Sequence, residues 1–182
     1  MSIETIAVLG AGQMGSGIAQ IAAASGYKVI IRDIKQEFCD KGVNGIKAGL
    51  DKQVAKGKTT QEAADAIMAR ISTTVELEGV APADFVIEAA PEILSLKHDT
   101  FVQLGEICKP DAILCTNTSS MSIGEITKDC KNPERCIGMH FFFPVYAMKL
   151  VEMIRSCYTS DATVAAVREI AACIQRRKVA HR

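Results

Sequence analysis

Ile6-Ala7-Val8-Leu9-Gly10-Ala11-Gly12-Gln13-Met14-Gly15-Ser16-Gly17-Ile18-Ala19-Gln20-Ile21-Ala22 reads as a short buried strand, a tight glycine turn and a helix folded back on that strand. Residues 10–15 carry G-x-G-x-x-G. Gly10 permits the sharp turn, Gly12 lets the backbone approach a pyrophosphate, and Gly15 lets the helix sit close to the strand. The free N–H groups that open the helix around Ala11, Gly12, Gln13 and Met14, together with its dipole, favour an anion there. A glycine turn alone is a weak signal. Here an apolar strand precedes it and an alanine-rich helix follows. Asp33 then ends the apolar run Tyr27-Lys28-Val29-Ile30-Ile31 about twenty residues on, where a ribose-binding acid is expected. A 2′-phosphate at that place would face a like charge, so NAD is expected over NADP, with Arg32 as the counter-signal. The bland alternative is a buried strand–helix pair with no ligand.

The 182 residues suffice for one α/β domain with a sizeable core and leave little for a second. Twenty-one acidic and 21 basic residues cancel, which argues against a nucleic-acid or membrane-surface partner recruited by bulk charge. Cysteines 39, 108, 115, 130, 136, 157 and 173 are odd in number and show no C-x-x-C spacing. They suit small buried hydrophobes in a reducing, cytoplasmic compartment better than a disulfide frame or a metal site. Thr5–Tyr27 carries no charge but is broken by glycines and polar residues, so neither a signal peptide nor a membrane span is expected.

Beyond Asp33, the stretch Lys35–Lys56 reads as a helix weakened by Gly42, Gly45 and Gly49. Lys52, Lys56 and Lys58 near its end are most simply a solvated face. Thr59-Thr60-Gln61-Glu62 offers a capping box before a helix at Ala63–Arg70, and Ile71–Val75 a short β-branched strand. Phe85–Ala89 is a further strand, after which Pro91-Glu92 opens a helix at Ile93–Cys108, with Glu92 readable as a first-turn acid. His98 within that helix has no partner at metal spacing. Ala112–Thr116 is a strand followed directly by Asn117-Thr118-Ser119-Ser120. In open parallel sheets ligands lie beyond the carboxyl ends of strands, which favours a functional quartet; the lesser alternative is that Ser119, Ser120 or Ser122 simply caps the short helix Ile123–Lys128.

Arg135–His140 is a strand ending in histidine, and Met148–Ile154 is another strand after a short loop. So short a link cannot hold a parallel crossover, so the pair is expected to be antiparallel. That arrangement can bring Glu152 beside His140, giving the oriented imidazole base that oxidation of an alcohol requires. From spacing alone, a histidine and a glutamate twelve residues apart are more often unrelated. A final helix at Asp161–Gln175 places Val164, Val167, Ile170, Ala171 and Ile174 at core spacing. Arg176-Arg177-Lys178 suits a helix end, and Val179–Arg182 the start of one more strand. The sum is a Rossmann-like, doubly wound α/β fold with a mainly parallel sheet and antiparallel strands at its C-terminal end.

Four motifs occur in order: residues 10–20, Glu88-Ala89-Ala90-Pro91-Glu92, Asn117-Thr118-Ser119-Ser120 and Gly138-Met139-His140-Phe141-Phe142. Together they resemble the NAD-binding half of the L-3-hydroxyacyl-CoA dehydrogenases, especially the bacterial 3-hydroxybutyryl-CoA type. The resemblance implies an NAD-dependent enzyme that interconverts 3-hydroxyacyl-CoA and 3-ketoacyl-CoA. It implies Asp33 as the adenosine-ribose acid, Glu92 and Lys97 as further NAD contacts, and Asn117 and Ser119 at the nicotinamide and substrate. It implies His140 as the catalytic base, Glu152 as its carboxylate partner, Ser119 as a hydrogen-bond partner of the reacting oxygen, and Lys56 as a contact of coenzyme A. A homo-oligomer is expected by the same resemblance. Two departures stand out. The family has Asn where this chain has Phe143, and its all-helical substrate and dimerisation domain does not occur before Arg182. The expectation is therefore a NAD-binding domain over 1–182, without the helical domain and with impaired turnover. Alternatives are a non-catalytic NAD-binding module or half-enzyme, and a two-domain dehydrogenase of the hydroxyisobutyrate or phosphogluconate type. The serine quartet and His140-Phe141-Phe142 argue against the last.

Overall fold

A computed structural model describes residues 3–174 and 178–181. Strand β1 (Thr5–Leu9) enters the glycine turn and leaves it as helix α1 (Gln13–Ala24). The turn depends on two glycines. Gly10 has φ +99°, and a Cβ on it would stand 2.6 Å from the Ala89 carbonyl oxygen. A Cβ on Gly15 would lie 1.8 Å from the carbonyl oxygen of Gly10, so only glycine lets α1 pack this tightly on β1. Strand β2 (Lys28–Arg32) follows, then α2 (Gln36–Ala55), α3 (Gln61–Met68) and β3 (Ile71–Thr74). The chain continues through β4 (Phe85–Glu88), α4 (Leu94–Ile107), β5 (Ile113–Thr116), α5 (Ile123–Thr127), β6 (Cys136–Phe141), β7 (Leu150–Ile154), α6 (Asp161–Cys173) and β8 (Lys178–His181).

The strands form one sheet in the order β3-β2-β1-β4-β5-β6-β7-β8. Pairing is parallel from β3 through β6, antiparallel between β6 and β7, and parallel again between β7 and β8. This is the doubly wound sheet with reversed C-terminal strands that the sequence led us to expect. Alternation along β1 feeds two cores. Ile6 and Val8 pack with Ile18, Ile46 and Val167 on one side, while Ala7 and Leu9 pack with Phe101, Leu104 and Ile126 on the other. The strand order reverses at β1, between β2 and β4, and ligands of such sheets bind in the crevice there.

Several local readings change. α2 runs unbroken through its three glycines, because Gly42 faces the glycine turn: a Cβ there would lie 2.7 Å from the Ala11 carbonyl oxygen. The cap of α3 is Thr60, whose hydroxyl accepts the Ala63 N–H at 3.2 Å, and the helix starts at Gln61, ahead of the expected Ala63. α4 begins at Leu94 behind an Ile93 cap, so Glu92 lies ahead of the helix and is not a first-turn acid. α5 is capped by Ser122, which leaves Ser119 and Ser120 out of that role. Lys178 starts β8 instead of ending a helix; Arg176 and Arg177 lie outside the described residues. All seven cysteines are free, five of them buried, with Cys157 and Cys173 exposed. Among the described residues no group of histidine, cysteine and acids could hold a metal ion, and no helix is long and apolar enough to cross a membrane.

Candidate functional site

A cleft of about 1020 Å³ opens over the glycine turn at the carboxyl ends of the strands. Residues 9–14 form its floor, Asp33 one end, and Ala89–Glu92 with Asn117 the other. The turn is held to β2 by its own hydrogen bonds: Gly10 N–H donates to the Arg32 carbonyl at 2.8 Å, and Ala11 N–H donates to Asp33 Oδ2 at 2.7 Å. Asp33 Oδ1 accepts the Ile34 N–H at 2.7 Å. The carboxylate is thereby fixed at the end of β2, with a lone pair left on each oxygen for a ribose hydroxyl. Gly12 caps α1, and a Cβ on it would touch nothing within 4 Å, so its face lies open to the cleft. An open helix N-terminus, a glycine-lined floor and an anchored acid at one end fit a dinucleotide: pyrophosphate on the turn, adenosine toward Asp33, the other half over β4 and β5.

On that other half, β6 and β7 bring the expected pair together. His140 stands opposite Glu152 in the antiparallel register, and His140 Nδ1 lies 2.9 Å from Glu152 Oε2. Both side chains are mostly buried. The Phe142 ring tilts against the imidazole with centroids 4.6 Å apart. Nε2 has no hydrogen-bond partner among the described residues. Asn117 reaches across from β5: its Oδ1 accepts the Phe141 N–H at 2.8 Å, tying the turn after β5 to the residue that follows His140. The side-chain NH₂ of Asn117 remains as donor on the cleft side. Ser119 is exposed on the same turn.

Glu92 lines the cleft and accepts the Thr118 hydroxyl at 2.6 Å. Lys97 is only 1% exposed at the cleft edge, its ammonium 2.7 Å from Glu88 Oε1, 3.1 Å from the Ala90 carbonyl oxygen and 3.7 Å from Glu92 Oε1. Lys56 does not join the others. It caps the far end of α2, while the cleft touches that helix at Lys41–Ile46, so the helical rise puts it roughly 15 Å or more beyond. Phe143 is 61% exposed on the cleft wall. Sequence reasoning gave Glu88 and Thr116 no role. Both are fully buried and hydrogen-bonded to each other at 2.7 Å beneath the cleft. The available signal was a carboxylate closing the apolar strand Phe85-Val86-Ile87.

The sequence profile of the family described as "3-hydroxyacyl-CoA dehydrogenase, NAD binding domain" matches residues 5–182. A probable 3-hydroxybutyryl-CoA dehydrogenase of Deinococcus radiodurans is 48% identical over 164 residues, covering 90% of this chain and 59% of that protein. The 3-hydroxyadipyl-CoA dehydrogenase of Escherichia coli K12 is 42% identical over 170 residues, covering 93% of this chain and 36% of that protein. The crystal structure of a 3-hydroxybutyryl-CoA dehydrogenase from Escherichia coli K12 superposes with TM-score 0.96 at 40% identity, covering all of this chain and 39% of the other. That of (S)-3-hydroxybutyryl-CoA dehydrogenase PaaH1 from Ralstonia eutropha gives 0.96 at 38% identity, covering 99% and 63%. The chain thus spans between about a third and two thirds of the length of these relatives. With an NAD cleft at the sheet's switch point and a profile match over nearly its whole length, the chain belongs to the 3-hydroxyacyl-CoA dehydrogenase family, as its NAD-binding domain.

Proposed function

We propose that this chain is the cofactor-binding part of a dehydrogenase that interconverts 3-hydroxyacyl-CoA and 3-ketoacyl-CoA in fatty-acid or butyrate metabolism. The observation that carries this reading is the contact of His140 Nδ1 with Glu152 Oε2 at 2.9 Å, on the strand that the cleft-lining Asn117 hydrogen-bonds at Phe141. The cleft lined by the glycine turn, Asp33 and Asn117 would hold NAD⁺, which would supply the hydride acceptor for the carbinol carbon. His140 takes the hydroxyl proton at Nε2, and Glu152 keeps Nδ1 protonated and stabilises the imidazolium. Ser119 and the Asn117 amide supply hydrogen bonds to the reacting oxygen and the nicotinamide. Glu92 and Asp33 take ribose hydroxyls. Lys56 is a contact for coenzyme A outside the cleft itself. Five buried free thiols suit a reducing cytoplasm, and the working form is a homo-oligomer.

Turnover of acetoacetyl-CoA with NADH tests the chemistry. His140→Ala is expected to lower kcat by about a hundredfold or more. Glu152→Gln lowers kcat as well while leaving NADH binding nearly unchanged. Near-normal turnover by His140→Ala would remove this residue from the mechanism. A second reading, a non-catalytic NAD-binding module, is favoured by Phe143, an apolar ring on the cleft wall. NADH binding without any turnover at high protein concentration would support it.

A further inference from the structure

Phe85-Val86-Ile87 is wholly apolar and buried, and the residue that completes β4 is Glu88, with no exposed surface. Its partner Lys97 is 1% exposed. Removing two charges from water costs several kcal/mol per ion, and a well-packed apolar pair often serves a fold equally well. Stability alone therefore does not account for this pair. Its connections do. Glu88 Oε1 accepts the Ala90 N–H at 2.6 Å and the Lys97 ammonium at 2.7 Å, while Lys97 also donates to the Ala90 carbonyl oxygen at 3.1 Å. The peptide groups on both sides of Ala90 are thus held from below. Glu88 Oε2 accepts the Thr116 hydroxyl at 2.7 Å, and the Thr116 oxygen accepts the Thr118 N–H at 3.3 Å. The Glu88 carbonyl oxygen takes the Asn117 N–H at 2.8 Å. One buried carboxylate thereby ties the turn after β4 to the turn after β5. Those turns are the cleft wall on the side of β1 away from Asp33.

We propose that Glu88, clamped by Lys97, is a positioning residue for the nicotinamide half of the cofactor. Glu88 sets the spacing between Ala89–Glu92 and Asn117–Ser119. The adenosine half, which rests on the glycine turn and Asp33, does not depend on it. The inference rests on the NAD reading of the cleft and not on the choice of acyl substrate.

Calorimetric titration of the chain with NADH and, separately, with ADP tests it, because ADP carries the adenosine and both phosphates but no nicotinamide. Glu88→Gln is expected to weaken NADH by about tenfold, as loss of charge-assisted hydrogen bonds does, and to change ADP by no more than about twofold. Thr116→Val leaves the ion pair whole and cuts the hydrogen bonds of the Thr116 hydroxyl to Glu88 and to Thr118, so it keeps the test open if Glu88→Gln folds poorly. It should shift the two ligands in the same unequal way. Equal losses for NADH and ADP, or unchanged NADH affinity in folded variants, would overturn the positioning role. A wild-type chain that binds no NADH would overturn the cofactor reading and this inference with it.

Discussion

Asp33 and Arg32 pull cofactor choice in opposite directions, and both line the cleft. Asp33 is anchored at the turn by the N–H groups of Ala11 and Ile34. The Arg32 guanidinium donates through Nε to the Val75 carbonyl oxygen at 3.3 Å, which leans it toward β3. NADH is therefore expected to bind at least about tenfold tighter than NADPH, or about 1.4 kcal/mol. Fluorescence titration with both decides it, and equal affinities would mean that Arg32 outweighs the acid. His98 illustrates a residue whose partners no spacing rule showed. Its Nε2 lies 2.8 Å from Asp129 Oδ2 and its Nδ1 3.2 Å from Asp99 Oδ1. Hydrogen bonds to the two carboxylates, Asp129 foremost, raise its pKa above the ordinary 6.5. A raised folded-state pKa means the stabilisation is full below the unfolded value of about 6.5 and fades as pH climbs through the higher folded value. His98→Ala should lower Tm more at about pH 6 than at about pH 8.5, with a solvent-screened effect of about 1 kcal/mol or less. A penalty that grows with pH would contradict this, and turnover should hardly change.

Helix α2 separates two kinds of glycine within one element. Gly42 meets the glycine turn, where an added Cβ would stand 2.7 Å from the Ala11 carbonyl oxygen and 2.8 Å from Ser16 Oγ. The first contact is backbone, so the helix would have to move off the turn. Gly49 has nothing within 4 Å of such a Cβ. Gly42→Ala is expected to destabilise by about 1–3 kcal/mol, as overpacking does, and to weaken NADH binding. Gly49→Ala should stabilise by roughly 0.5–1 kcal/mol through helix propensity alone. Thermal melts of both variants give the comparison; a stabilised Gly42→Ala would show that α2 is not seated on the turn.

Over the whole molecule, the cofactor cleft is built within these residues while its rim stays apolar and open. Leu96, Phe143 and Tyr146 line the cleft and are exposed, with Ile93 and Leu94 exposed nearby in sequence. Apolar patches of a few hundred Å² or more tend to associate. Hydride transfer needs a substrate held in a reactive pose away from water, an effect worth several kcal/mol. The 182-residue chain is therefore expected to bind NADH, to self-associate with rising concentration, and to turn over acetoacetyl-CoA at least about a thousandfold more slowly than a full-length relative. Light scattering and the turnover assay on one sample test this together. Fast turnover by a monomer would show that this part alone suffices.

Legibility followed the separation of the interacting residues along the chain. The strand, glycine turn and helix of residues 6–22 carry much of their own geometry, since Gly10 takes φ +99° and Gly15 meets the Gly10 carbonyl within the same turn. The sequence by itself therefore determined the doubly wound class, the glycine turn and the position of Asp33 just past β2. The His140–Glu152 pair was legible as a possibility because a short loop forces an antiparallel return, but the register that sets them opposite comes from the sheet. Glu88, Thr116 and Lys97 were not legible as a unit. Their contact needs β4 beside β5 with strand ends level, and α4 laid back over both, and sequence order alone does not specify that. For the same reason Glu92 read as a helix-start acid, whereas in the fold the Thr118 hydroxyl from the neighbouring turn holds it at the cleft. Local backbone chemistry writes itself into adjacent residues; a buried polar network is written only by the packing that brings distant strand ends together.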